Sequence, residues 1–175
     1  MKNIVATLSL LFATTLSAQV AIGKATVSSP AVSLEFYDNA DNTRGIILPW
    51  VTNTAAVTGA VNGTIVYNTA DRKVYVKYAS GWRDLSVDNT GTVTTTLQDS
   101  LTDQDTAKVL IGGDPSTDTT PGILVLADTN KAMVLPKVAS PHLKIVNPSP
   151  GMMVYDTTKK QLAVFNGTVW SFWKP

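Results

Sequence analysis

Two stretches of this chain carry nearly the same alternation of apolar and polar positions: GTIVYNTADRKVYVKYASGW (Gly63–Trp82) and GMMVYDTTKKQLAVFNGTVW (Gly151–Trp170). In the first, KVYVKY sets Val74 and Val76 against Tyr75 and Lys77, the period of two expected of a half-buried strand. TIVYN before it is bounded by Gly63 and the turn-forming NTADRK, and ASG afterwards turns the chain into WRDLS. The second stretch follows the same plan, with LAVF, then Asn166-Gly167, then TVWSFW. Asn-Gly predicts a tight type I′ hairpin, in which both central residues take positive φ. Each stretch therefore predicts a three-stranded antiparallel meander.

The duplication extends upstream. Gly63 and Gly151, Tyr67 and Tyr155, and Trp82 and Trp170 are each 88 positions apart. IILP (Ile46–Pro49) matches MVLP (Met133–Pro136) at 87, and VAIG (Val20–Gly23) matches VLIG (Val109–Gly112) at 89. Such drifts are single-residue insertions or deletions, which loops accept. Pro49 and Pro136 are expected to close a strand, where a missing N–H costs little. WVTNTAAVTGAVN predicts a weak helix or an extended loop, whereas KVASPHLKIVNPSP, with Pro141, Pro148 and Pro150, cannot form one continuous helix. The expected fold class is mainly all-β: two tandem copies of a small antiparallel meander unit joined by a polar linker. The expected boundaries are residues 19–86 for the first repeat, 87–108 for an acidic, Thr-rich linker and 109–175 for the second. Leu97 and Leu101 lie four apart in that linker, too few leucines to make a coiled coil.

The N-terminus changes the picture of where the chain goes. Lys2 precedes an apolar run from Ile4 to Ala13, and TLSAQV offers a small-residue exit. This predicts a signal peptide over residues 1–18 with cleavage after Ala18, although Leu16 is larger than the usual residue at −3. The run is too short for a permanent membrane span, and the chain contains no cysteine to carry a lipid or a disulfide. An exported protein without a membrane anchor of its own is expected, extracellular, at the cell surface or periplasmic. Without disulfides, repeats of this size need a packed core or association with other chains.

The formal charge of +1 argues against nucleic acid, which requires a clustered basic face. The distribution is uneven. Residues 20–86 hold six basic and five acidic side chains, residues 87–120 one against six, and residues 121–175 six against two. An acidic middle joining the repeats is read as solvation of a linker.

Little in the chain points to chemistry. His142, the single histidine, stands beside a proline in SPHLK, and Glu35 is the single glutamate. A catalytic triad needs a positioned base, and glycosidic cleavage needs a pair of carboxylates; neither set stands out. Asp38–Asn42 (DNADN) concentrates oxygens but lacks a calcium-loop pattern and reads as a turn. IGGD is not a phosphate-binding fingerprint, and both NGT tripeptides, although formal glycosylation sequons, lie at turns. No cofactor and no metal are expected, and the chain is read as no enzyme. Tyr67, Trp82, Tyr155 and Trp170 recur in register and are expected to plug small cores. Trp50, Phe172 and Trp173 fall outside the repeated pattern and are the candidates for contact with a partner protein or a glycan.

The order LP, loop, GxxVY(N/D)T, aromatic strand and closing GxW or GTxW resembles a repeat of secreted and cell-surface proteins of the Bacteroidota. VAIGKATVSSPAVSLEF resembles the opening of those repeats. The match is clearest over Gly63–Trp82 and Gly151–Trp170, and departs after the first proline, where Trp50-Val51 and Lys137-Val138 replace a common second proline and methionine. The resemblance implies an adhesive or fibre-like structural role and no reaction. The expected function is an exported structural or adhesion module that acts by binding and assembly, as a homo-oligomer whose copy number is left open, a trimer among the options. The alternative is a lectin-like module that stacks sugars on Trp50 and Trp173.

Overall fold

A computed structural model describes residues 19–102, 104 and 106–174. The signal peptide expected over residues 1–18 lies outside the described residues. The first repeat contributes seven strands: β1 (Val20–Ile22), β2 (Val32–Phe36), β3 (Ile46–Ile47), β4 (Trp50–Val51), β5 (Ile65–Asn68), β6 (Lys73–Tyr78) and β7 (Gly81–Asp84). The second contributes β8 (Val109–Ile111), β9 (Leu124–Leu126), β10 (Ala132–Val134), β11 (Lys137–Val138), β12 (Met152–Asp156), β13 (Gln161–Phe165) and β14 (Trp170–Trp173). One 3-10 turn at Thr54–Ala56 and one helical turn, α1 (Pro141–Lys144), complete the regular structure of the described residues. The fold is all-β.

Strand pairing repeats along with the sequence. β5-β6-β7 and β12-β13-β14 are the two antiparallel meanders. Each is preceded by a two-residue strand that pairs in parallel, Trp50 opposite Tyr67 and Lys137 opposite Tyr155. The prolines act as hinges here: the carbonyls of Pro49 and Pro136 accept the N–H of Tyr67 and Tyr155, each at 2.9 Å. β1 and β2 form a parallel pair with Val20 opposite Leu34, and β8 and β9 form another with Val109 opposite Leu124.

Two pairings cross from one repeat to the other. β10 adds to β2 in parallel, with Met133 opposite Leu34, and β3 adds to β12 antiparallel, with Ile47 opposite Met152. The equivalent strands β3 and β10 thus leave their own repeats for the other one. Gly45 permits the approach of β3 to β12: a Cβ there would sit 2.6 Å from Val154 Cγ1 and 2.7 Å from Met152 Cγ.

The β13–β14 connection differs from the expected type I′ turn. It spans Asn166 to Val169, and Gly167 alone of the Asn-Gly pair has positive φ, at 101°. Asn166 instead uses its side chain, whose Oδ1 accepts the N–H of Thr168 (2.9 Å) and Val169 (2.8 Å). A side-chain cap replaces the tight backbone turn. The left-handed residues of the meanders lie elsewhere and match each other, Arg72 (φ 64°) and Lys160 (φ 54°).

The main core forms between the repeats. Tyr67 and Val74 of the first meander pack with Met153 and Val164 of the second, closed by Leu48 and Leu85. Tyr67 is fully buried; covering a ring of ~150–250 Å² at ~25 cal/mol per Å² contributes roughly 4–6 kcal/mol before entropy. A second core of Val138, Met152, Val154, Ala163 and Phe165 lies on the far face of β12 and β13, with Trp170 half-buried against it. The start of the polar segment takes part in the fold. Val93 packs on the main core, and a Cβ at Gly91 would collide with the carbonyls of Arg72 and Asn166. Farther on, Leu97 and Leu101 are exposed.

Candidate assembly surface

Polar bonds between the repeats surround the main core. Tyr67 Oη donates to the Asn166 carbonyl at 2.8 Å, and burial pushes its phenol up to about 12. Trp50 Nε1 donates to Pro150 O at 2.9 Å, with its ring 6.0 Å from that of Tyr67. Trp173 Nε1 donates to Leu85 O, and the Arg83 guanidinium lies 5.4 Å from the centre of its ring. Ser171 Oγ donates to Ser86 O, and Asn166 Nδ2 to Asp88 Oδ1 at 3.1 Å. Trp50 and Trp173, the two indoles outside the repeated pattern, are therefore half-buried and committed to the seam between repeats. Phe172 is exposed and stands edge-on to His142, with ring centres 5.7 Å apart. Of the four recurring rings, Tyr67 is buried, while Trp82, Tyr155 and Trp170 are half-buried.

The buried acids serve as supports. Asp156 is fully buried at the end of β12, where its Oδ1 accepts the N–H of Ser140 (3.1 Å) and Thr158 (2.9 Å). Burial alone would raise its carboxyl; these backbone donors, helped by Lys159 and Gln161, outweigh burial and hold it below the usual range. Its counterpart Asn68 fills the same turn with an amide that accepts the Ala70 N–H at 2.9 Å. Glu35 is also fully buried, 3.0 Å from Lys24 Nζ and 2.6 Å from the Ser28 N–H. Here too burial acts upward and is outweighed, by Ser28 and Lys24. In DNADN, Asp38 pairs with Lys137 (3.2 Å) and Lys24 (3.4 Å), while Asn42 donates to the Lys137 carbonyl at 3.1 Å. That stretch is a turn that ties the first repeat to β11. Among the described residues, no group of three or more His, Asp or Glu side chains gathers as a metal site. Tyr67, Trp82, Tyr155 and Trp170 do not converge with acids around a cleft: the two buried acids lie in turns and strand pairs where backbone N–H groups and Lys24 hold them.

Exposed apolar side chains occur on both repeats, and within the repeats the most exposed lie on the second. Ile123 is 66% exposed and Leu124 48%, at the start of β9; Leu143 is 75% exposed and Val146 81%, on and just after α1. Sequence reasoning missed this group. The run of apolar residues in GILVL and HLKIV was visible, but nothing in it distinguished strands with a covered edge from strands without one.

Residues 114–174 match the family model of the phage tail like trimerisation region, a span that takes in β9 to β14 and about a third of the chain. Comparison with curated proteins and with solved structures gave no match.

Proposed function

We propose that this protein is a non-catalytic structural module that associates with copies of itself, as a trimer, through its second repeat. The match of residues 114–174 to a trimerisation region carries this reading. It is supported by the exposed Ile123, Leu124, Leu143, Val146 and Phe172, all of which fall within that span. The commitment of Glu35, Asp38 and Asp156 to ion pairs and backbone donors supports a role without bond-making. The setting we propose is extracellular, following the signal-peptide pattern of residues 1–18 and the resemblance of the repeats to Bacteroidota surface proteins. Adhesion to a surface protein would follow from display of the assembled module. The lectin alternative requires Trp50 and Trp173 as free platforms, and both rings are occupied at the seam.

The test is the solution mass of residues 19–175 by light scattering after gel filtration. A mass of three chains is expected across the micromolar range. A stable monomer at tens of micromolar would remove the reading. For the setting, external protease applied to intact cells should degrade the protein without lysis; complete protection would place it elsewhere.

A further inference from the structure

The two crossing strands reveal a pairing rule that the chain satisfies only in part. In the antiparallel β3–β12 pair, Leu48 N–H bonds Gly151 O at 3.1 Å. By the alternation of such ladders, Ile46 and Leu48 direct their backbone groups at β12, and Ile47 directs its groups the other way. In the parallel β10–β2 pair, Ala132 N–H bonds Ala31 O at 2.8 Å. The register slips by one residue on β2 between Ala132 and Met133. Beyond the slip, Tyr37 N–H bonds Ile22 O, so Glu35 faces β1 and Leu34 faces β10. Ala132 and Val134 therefore face β2, and Met133 and Leu135 face away. Met133 and Leu135 are the counterparts of Ile46 and Leu48, 87 residues on. The same strand thus presents one edge to a β2-type strand and the opposite edge to a β12-type strand. Among the described residues of one chain, β3 uses only the second edge and β10 only the first.

The complementary positions are also open. β9 is the counterpart of β2 and, among the described residues, pairs with β8 alone. Val109 N–H bonds Ile123 O and Ala127 N–H bonds Ile111 O, so Val125 faces β8, leaving Leu124 and Leu126 with outward backbone groups. Leu34, which β10 covers, is 1% exposed; Leu124 at the same position is 48% exposed. β5 is the counterpart of β12 and, among the described residues, lacks the β3-type partner beside Ile65.

We infer that a second copy of this chain completes both ladders at once, head to tail. The β3 strand of the neighbouring chain adds in parallel to β9, and β10 adds antiparallel to β5 of that neighbour. The registers follow from the internal pairs. Met133–Leu34 becomes Ile46 opposite Leu124, and Ile47–Met152 becomes Val134 opposite Thr64. Ala132 stands where the first repeat has Gly45; of the two side chains that a Cβ there meets, Met152 is replaced by the smaller Thr64 and Val154 recurs as Val66, so β10 sits slightly farther out from β5 than β3 does from β12. Such a contact joins different surfaces on the two chains, and it closes into a ring when the rotation allows. This inference rests on the self-association proposed above and specifies which edges meet.

The chain has no cysteine, so introduced pairs report unambiguously. Thr64→Cys and Val134→Cys, made in separate chains, mixed, refolded together and oxidised, should give a covalent dimer on a denaturing gel. Thr64→Cys mixed with Met133→Cys, one residue out of register and on the opposite face, should give at least tenfold less. Leu124→Pro removes an outward N–H while leaving the β8 ladder whole, and should weaken association at least tenfold with an unchanged circular dichroism spectrum. Oligomers that form without the Thr64–Val134 cross-link, or a folded Leu124→Pro chain that associates as the parent does, would overturn the edge assignment and leave the proposed function standing. A monomeric parent chain would overturn both.

Discussion

β2 and β9 are the same strand written twice, yet one is core and the other surface. Both follow a parallel partner at matching register, Val20 opposite Leu34 and Val109 opposite Leu124. β2 receives β10 as a third strand, and Val32 and Leu34 are buried; β9 receives none among the described residues, and Ile123 and Leu124 face solvent. A two-stranded sheet is marginal by itself. Burial in this molecule is therefore decided by which strand arrives from the other repeat, and only secondarily by the strand's own composition. The meanders show the same inequality. Tyr67 closes the shared core, whereas its counterpart Tyr155 is half-buried.

The largest expected effect tests that inequality at the core. Tyr67→Ala should destabilise by about 3–5 kcal/mol, the range for removing a buried aromatic side chain. Tyr155→Ala should cost less than half as much, with both measured by urea unfolding at fixed chain concentration. Equal losses would mean that the repeats contribute symmetrically and that the core between them is not the main one. Leu34 and Leu124 sharpen the opening contrast. Leu34→Ala is expected to cost about 2–4 kcal/mol, and Leu124→Ala within about 0.5 kcal/mol when assayed at concentrations below association. At concentrations where the chain associates, the second value should rise. If it stays near zero at every concentration, β9 is an ordinary surface strand.

Much of this was legible from the chain, because period-two alternation and the 88-residue repeat report local pairing directly. The meanders lie where KVYVKY and QLAVF put them, and the three prolines after Val138 do limit helix to the single turn α1. What alternation cannot report is the identity of a partner strand. GIILP and AMVLP read alike, and neither shows that each leaves its own repeat. The role of Trp50 was hidden for a related reason. A tryptophan aligned with Lys137 appears exceptional, yet its N–H reaches Pro150, 100 residues away, because β4 lies at the seam. The polar segment was likewise read from composition, which missed Val93 and Gly91 against the core. The Asn-Gly dipeptide gave the right turn and the wrong mechanism, since the Asn166 side chain does what a second left-handed residue would have done.

Asp156 and Asn68 allow the repeats to be separated by pH. Asp156→Ala leaves at least two buried N–H donors without a partner and should cost on the order of 3 kcal/mol near neutrality. Asn68→Ala, which frees the Ala70 N–H, should cost about 1 kcal/mol. The folded Asp156 carboxyl lies below its unfolded value of about 3.9. Its contribution is thus complete above that value and is lost as pH falls through the folded one. Other depressed carboxyls, including Glu35 and Asp38, add to the acid slope, so the informative quantity is the difference from Asp156→Asn. That variant should lose less stability than the parent between about pH 5 and pH 2. Parallel curves would show that the turn holds Asp156 no differently from an amide.

A further comparison addresses the crossing itself. Gly45 and Ala132 are counterparts, but the first lies against β12 and the second against β2. Gly45→Ala forces a methyl into Val154 and Met152, side chains that are themselves buried, so relief must come from shifting β3 outward. Overpacking of this kind costs typically about 1–3 kcal/mol. Ala132→Gly meets no such crowding and should cost only the backbone freedom of glycine, roughly 0.5–1 kcal/mol. Because strain and chain entropy respond differently to their surroundings, trimming Met152 to Ala alongside Gly45→Ala should recover part of the first loss and none of the second. An Ala at position 45 that is silent in both backgrounds would mean that β3 does not lie on β12, and the exchange of strands between repeats would fall with it.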